Sequence, residues 1–112
     1  MRIRILLSVL ALSLPAIAAD REAQRGRQIF DSVGCYQCHG YVGQGGAAGL
    51  RLAPELLPYD AFAQFVRGTT GAMPAYSEGL LAEGDLRAIY AFLQTVPKGP
   101  DVDSIPILRN LR

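Results

Sequence analysis

The chain has no tryptophan, one histidine, two cysteines and two methionines among its 112 residues. A disulfide framework is excluded as a source of stability. Cys35 and Cys38 lie three positions apart, and a bond between them would close a loop too small to constrain the fold. A structural zinc site needs four ligands, and the cysteines and histidine together supply three at most. Neither sign of charge dominates, with 11 Lys and Arg against 10 Asp and Glu. The concentrated basic surface that nucleic acid phosphates call for is therefore missing. No segment alternates as a strand, no repeat is visible, and the longest apolar run is short of the ~20 residues of a membrane span.

That apolar run reads as an export signal. Arg2 and Arg4 precede it, Ile5 to Ile17 form it with a break at Pro15, and Ala16, Ala18 and Ala19 offer small residues for cleavage after Ala18 or Ala19. The expected division is a signal peptide over 1–19, one domain over 20–96 and a proline-containing tail over 97–112. Cleavage leaves 93 residues, with 9 basic against 10 acidic, and places the domain in the periplasm with no stable membrane anchor. A domain of that size has little apolar core of its own and usually needs a staple.

The remaining pattern is all-α. A first helix is expected over Asp20–Val33, capped by Asp20 and stopped by Gly34. A glycine- and proline-rich loop follows from Gly40 to Pro58; the glycines lack the lysine and the strand-to-helix setting of a phosphate cradle. A short helix capped by Asp60 runs to about Arg67, and a second loop, Gly68 to Tyr76, surrounds Met73-Pro74. In the last helix, Glu83 to Val96, Leu86, Ile89, Tyr90 and Leu93 repeat at i, i+3, i+4 and i+7. Long loops in so small a domain are expected to wrap something. The tail carries Ile105, Ile107 and Leu108, and is expected to pack along the domain or dock on a partner.

Cys35-Tyr36-Gln37-Cys38-His39 supplies the object to be wrapped. Two cysteines separated by two residues can reach the two vinyl groups of one porphyrin, and the next residue sets an imidazole at the iron. A thioredoxin-like pair would need a βαβ setting, which is missing. The expected cofactor is one haem c, covalent through Cys35 and Cys38, with His39 as proximal ligand. Once the leader is removed Met73 is the last methionine, and no second histidine exists, so Met73 is the expected sixth ligand. Its glycine-flanked loop disfavours a core-filling role. Arg51 and Arg67, with Tyr59 and Tyr76, are candidate partners for the haem propionates; a solvated surface position is the alternative for each arginine.

These residues resemble the class I cytochromes c over nearly the whole mature chain. Gly26 and Phe30 match the glycine and aromatic of that family's first helix, and Ile89 and Phe92 match positions in its last. The resemblance implies a cytochrome c fold of three to four helices around the haem, with a close crossing of first and last helix. The stretches Gly40–Gly46, Met73-Pro74-Ala75-Tyr76 and Asp85–Leu93 look like the small monohaem cytochromes that accompany periplasmic dehydrogenases. Two departures stand out. Where the family commonly has Gly-Pro, with the proline carbonyl accepting from the proximal histidine, this chain has Gly49-Leu50. The Leu50 carbonyl can accept the same bond, with less rigidity expected. Where related sequences often cap the last helix with serine, Ala82 stands, and a fraying first turn is expected.

With both axial positions filled, the iron binds no substrate, and the expectation is an electron carrier rather than an enzyme. The expected donor is a periplasmic dehydrogenase, and the acceptor a terminal oxidase or another cytochrome. Competing classes are a peroxidase-like haem enzyme, a sensor or structural domain, and a permanent cytochrome subunit of an oxidoreductase complex.

Overall fold

The computed structural model describes residues 14–109, which hold five α-helices, one 3-10 turn and no strand. The helices are α1 (Leu14–Ser32), α2 (Cys35–His39), α3 (Tyr59–Gly68), α4 (Glu83–Gln94) and α5 (Pro106–Arg109). The architecture is all-α, as expected. Its three long helices are those read from periodicity, and α2 and α5 are single short turns. Residues 1–13 of the expected leader lie outside the described residues, as do the last three of the tail. No helix among the described residues is long and apolar enough to cross a membrane.

Two helix starts differ from expectation. The first helix is already formed at Leu14, so Asp20 lies inside it instead of capping it. The stretch Ala16–Ala19 is rich in strong helix formers and contains nothing to interrupt the backbone ladder. In α3 the cap position falls to Pro58, and Asp60 sits in the first turn, where its charge favours the helix dipole.

The frame is the crossing of α1 on α4. Gly26 is buried there, and a Cβ built on it would lie 1.8 Å from the Ala88 carbonyl oxygen and 2.8 Å from the Ile89 nitrogen. Only a hydrogen in place of a side chain lets the two backbones meet this closely. One turn further on, Phe30 and Phe92 pack edge to face, with centroids 5.5 Å apart at 61°. Phe30, Leu86 and Leu93 are the largest fully buried side chains.

Charged groups close the edge of this crossing. Ala82 gives α4 no side-chain cap. Its first turn is nevertheless tied down: Arg25 of α1 bonds the Gly84 carbonyl at 3.3 Å and pairs with the Asp85 carboxylate. Glu83 accepts from the Tyr59 hydroxyl at 2.7 Å and pairs with Arg87 at 3.0 Å and Arg67 at 3.4 Å. The expected fraying is thus opposed by tertiary bonds that the local sequence does not announce.

Helix α3 packs through Phe62 and Val66, with Phe62 5.3 Å from the Tyr90 ring. The Tyr90 hydroxyl donates to the Leu57 carbonyl at 2.8 Å, which fixes the approach to α3. The tail forms a 3-10 turn at Val102–Ser104, capped by the Asp101 carboxylate, and then α5. Among the described residues, those of the tail do not join the core; Val102 and Ile107 are exposed.

Candidate haem site

The site begins with a glycine. Gly34 adopts the left-handed region, φ 85°, which turns the chain out of α1 and directly into α2. Cys35, Cys38 and His39 then stand at i, i+3 and i+4 of one helical turn, a spacing that puts side chains on a common face. Both cysteines are free of disulfide; Cys35 is half-buried and Cys38 exposed. Burial pushes the Cys35 thiol up to about 11, so it stays protonated at neutral pH.

His39 is buried, and its Nδ1 lies 2.7 Å from the Leu50 carbonyl oxygen. A carbonyl only accepts, so Nδ1 carries the proton and donates it. In the neutral ring this leaves the Nε2 lone pair for a metal, the form in which imidazole binds one. The loop that delivers this carbonyl is folded tightly over the histidine. The Gly45 N–H donates to the His39 carbonyl at 2.7 Å, and the Leu52 and Ala53 N–H groups both donate to Gly43, at 2.7 and 3.0 Å. Gly43 and Gly45 hold φ of 72° and 86°. Gly49 rests on α2 so closely that a Cβ would lie 2.7 Å from the Cys38 carbonyl oxygen. Leu50 therefore holds His39 without proline's ring, because the glycines that precede it are locked and the next residues, Leu52 and Ala53, are bonded back to Gly43.

A cavity of about 300 Å³ opens beside His39. Its walls come from Phe30, Phe62, Val66, Leu86 and Ile89, residues that periodicity alone assigns to an ordinary core. Met73 lines the same cavity and is partly buried. Cys35, Arg51 and Tyr76 line it too, whereas Cys38, Tyr59 and Arg67 do not. Leu50, Leu57 and Phe65 belong to its wall yet are 78%, 55% and 55% exposed, so the wall reaches the molecular surface.

Tyr59, Arg67 and Tyr76 already have partners within the chain. The Tyr59 hydroxyl is bonded to Glu83, and with burial this pushes its pKa up to about 12, burial being the larger cause. Arg67 donates through Nη1 to the Tyr76 carbonyl at 3.0 Å and the Leu81 carbonyl at 2.5 Å. The Tyr76 hydroxyl donates to the Val33 carbonyl at 3.0 Å, and burial is the main cause of its raised pKa. Sequence reading missed Glu83 as a hub. The clue was its place at a helix start, four residues before Arg87.

The donor set fits a haem. An apolar cavity is lined by His39 and Met73, whose imidazole and thioether are a pairing suited to haem iron. The two thiols stand on the same helical turn as the imidazole. A bare ion has no such place: no group of three or more His, Cys, Asp or Glu among the described residues could hold one.

Residues 21–93 match the family model described as cytochrome c oxidase, cbb3-type, subunit III. No curated protein and no solved structure is significantly similar to the chain. The matched segment runs from α1 to the end of the last long helix and contains every element that builds the cavity. The chain belongs to this family of c-type cytochromes, in which haem c serves electron transfer.

Proposed function

We propose that this cytochrome is a periplasmic one-electron carrier with a single haem c, attached through Cys35 and Cys38 and ligated by His39 and Met73. One observation carries the reading. His39, whose Nδ1–H donates to the Leu50 carbonyl, shares one apolar cavity with Met73. Bound there, haem supplies a ferric–ferrous couple, and histidine–methionine ligation favours a higher potential than bis-histidine. The chain's own residues do the rest. The Leu50 carbonyl fixes the imidazole ring, the aromatic and aliphatic wall excludes water, and the exposed wall at Leu50, Leu57 and Phe65 brings the cavity's edge to the surface, where a partner can approach. Arg51, which lines the cavity, is the favoured propionate partner, whereas the Tyr76 hydroxyl already donates to Val33. With both ligands supplied by the chain, peroxide turnover is not expected.

Electrons come from a periplasmic dehydrogenase and pass to a terminal oxidase or another cytochrome, after removal of the leader behind Ala18 or Ala19. The family's description as an oxidase subunit favours a second arrangement, the same electron transfer within a permanent complex. The purified ferric protein, mixed with periplasmic extract and dehydrogenase substrates, should be reduced, and then reoxidised by membranes. Haem that washes out under acid extraction, or a protein that neither extract nor membranes can cycle, would contradict the proposal. Co-purification in a fixed ratio with an oxidase would select the second arrangement.

A further inference from the structure

We propose that Arg67 is a positioning residue that clamps the Met73 loop, and so sets how firmly Met73 is held at the cavity. The inference rests on the reading of Met73 as a ligand. Between α3 and α4 the chain has no regular structure. Upstream of Met73 its bonds are local: the Thr69 N–H to the Phe65 carbonyl at 3.0 Å, and the Gly71 N–H to its neighbour Thr69 Oγ1 at 3.4 Å. Gly68 and Gly71 have open space where a Cβ would stand, so no close packing holds the loop there.

The hold comes from downstream. The Tyr76 N–H donates to the Val66 carbonyl, and its hydroxyl reaches Val33. Arg67 alone grips both sides of the segment after Met73, since one Nη1 bonds the carbonyls of Tyr76 and Leu81. Its Nη2 meets Glu83, whose other oxygen takes the Tyr59 hydroxyl, so the guanidinium is aimed from the far side as well. The planar fork suits this task, and a point-charge ammonium would satisfy only part of it. Its side chain is only 20% exposed, which limits competition from water for the two carbonyls.

The test uses the ferric holoprotein with Arg67→Gln, Arg67→Lys and, as control, Arg87→Gln, which removes a Glu83 partner without touching the loop. Two quantities are read: imidazole affinity, followed by loss of the far-red sulfur–iron band, and amide exchange over residues 69–81. Arg67→Gln should bind imidazole about tenfold more tightly and exchange faster across that segment alone. Arg67→Lys should fall between it and wild type, and Arg87→Gln should match wild type. A glutamine variant that melts earlier but keeps its imidazole affinity and segment exchange would overturn the clamp. So would a change confined to the pH dependence of the potential, the mark of a propionate contact. A wild-type protein without the sulfur–iron band would refute Met73 ligation instead, and exchange alone would then decide the clamp.

Discussion

The loops after α2 and after α3 both abound in glycine and both border the cavity, yet they use glycine in opposite ways. In the first, Gly43 and Gly45 occupy left-handed backbone and Gly49 touches the Cys38 backbone, where any side chain would collide. Those glycines are structural necessities, and they lock the carbonyl that orients His39. In the second, Gly68 and Gly71 meet nothing, and the loop is held by a few long-range bonds from Tyr76 and Arg67. Glycine content therefore says nothing about rigidity until its surroundings are known. The consequence for chemistry is a histidine fixed by many backbone bonds and a methionine that side chains hold in reach.

Three experiments can break or sharpen this contrast. The largest effect belongs to the frame both loops depend on. Gly26→Ala would drive a methyl into the Ala88 carbonyl, and should cost ~3 kcal/mol or more in a urea titration. A loss below ~1 kcal/mol would mean that α1 and α4 separate easily. Next, Gly49→Ala should cost ~1–3 kcal/mol by pushing the loop off α2. Gly71→Ala should be neutral or stabilising by ~0.5 kcal/mol, through reduced freedom of the unfolded chain. Equal losses in the two variants would erase the difference between the loops.

The smallest effect is electrostatic. The Tyr59 hydroxyl, and after it Arg67 and Arg87, hold the Glu83 carboxyl below its ordinary range. A carboxylate with a lowered folded pKa stabilises the protein above its unfolded value, and that contribution is lost as pH falls through the folded one. Tyr59 works in the opposite sense. Its pKa rises from the ordinary 10.0 to about 12, so its contribution is present below pH 10 and lost as pH climbs toward 12. Glu83→Gln should flatten both limbs of the stability–pH curve slightly; unchanged limbs would show that solvent screens the whole cluster.

Much of the fold was legible because the chain is sparse in special residues. Helical spacing at Leu86, Ile89 and Leu93 marked α4, and Gly34 marked the stop before the cysteines. What escaped was set by distant partners. Asp20 looked like a cap because nothing local reveals that the helix already exists at Leu14. Ala82 looked like a weak start because Arg25 lies 57 positions away from it in sequence, and only folding brings that arginine to Asp85. Arg67 and Tyr59 read as candidate propionate partners for the same reason: the carbonyls and the carboxylate they bind instead come from the chain beyond Met73. Phe65, apolar yet exposed, stands at the cavity's outer wall, a place that helical spacing does not reveal.

The claim that Met73 completes the coordination begun by His39 is open to one direct measurement, the proton NMR spectrum of the ferrous holoprotein. A methionine methyl lying over a porphyrin face is shifted far upfield by the ring current. The account predicts a single three-proton resonance of this kind, absent from Met73→Ala. A wild-type spectrum without it, or a signal that survives in Met73→Ala, would contradict the account.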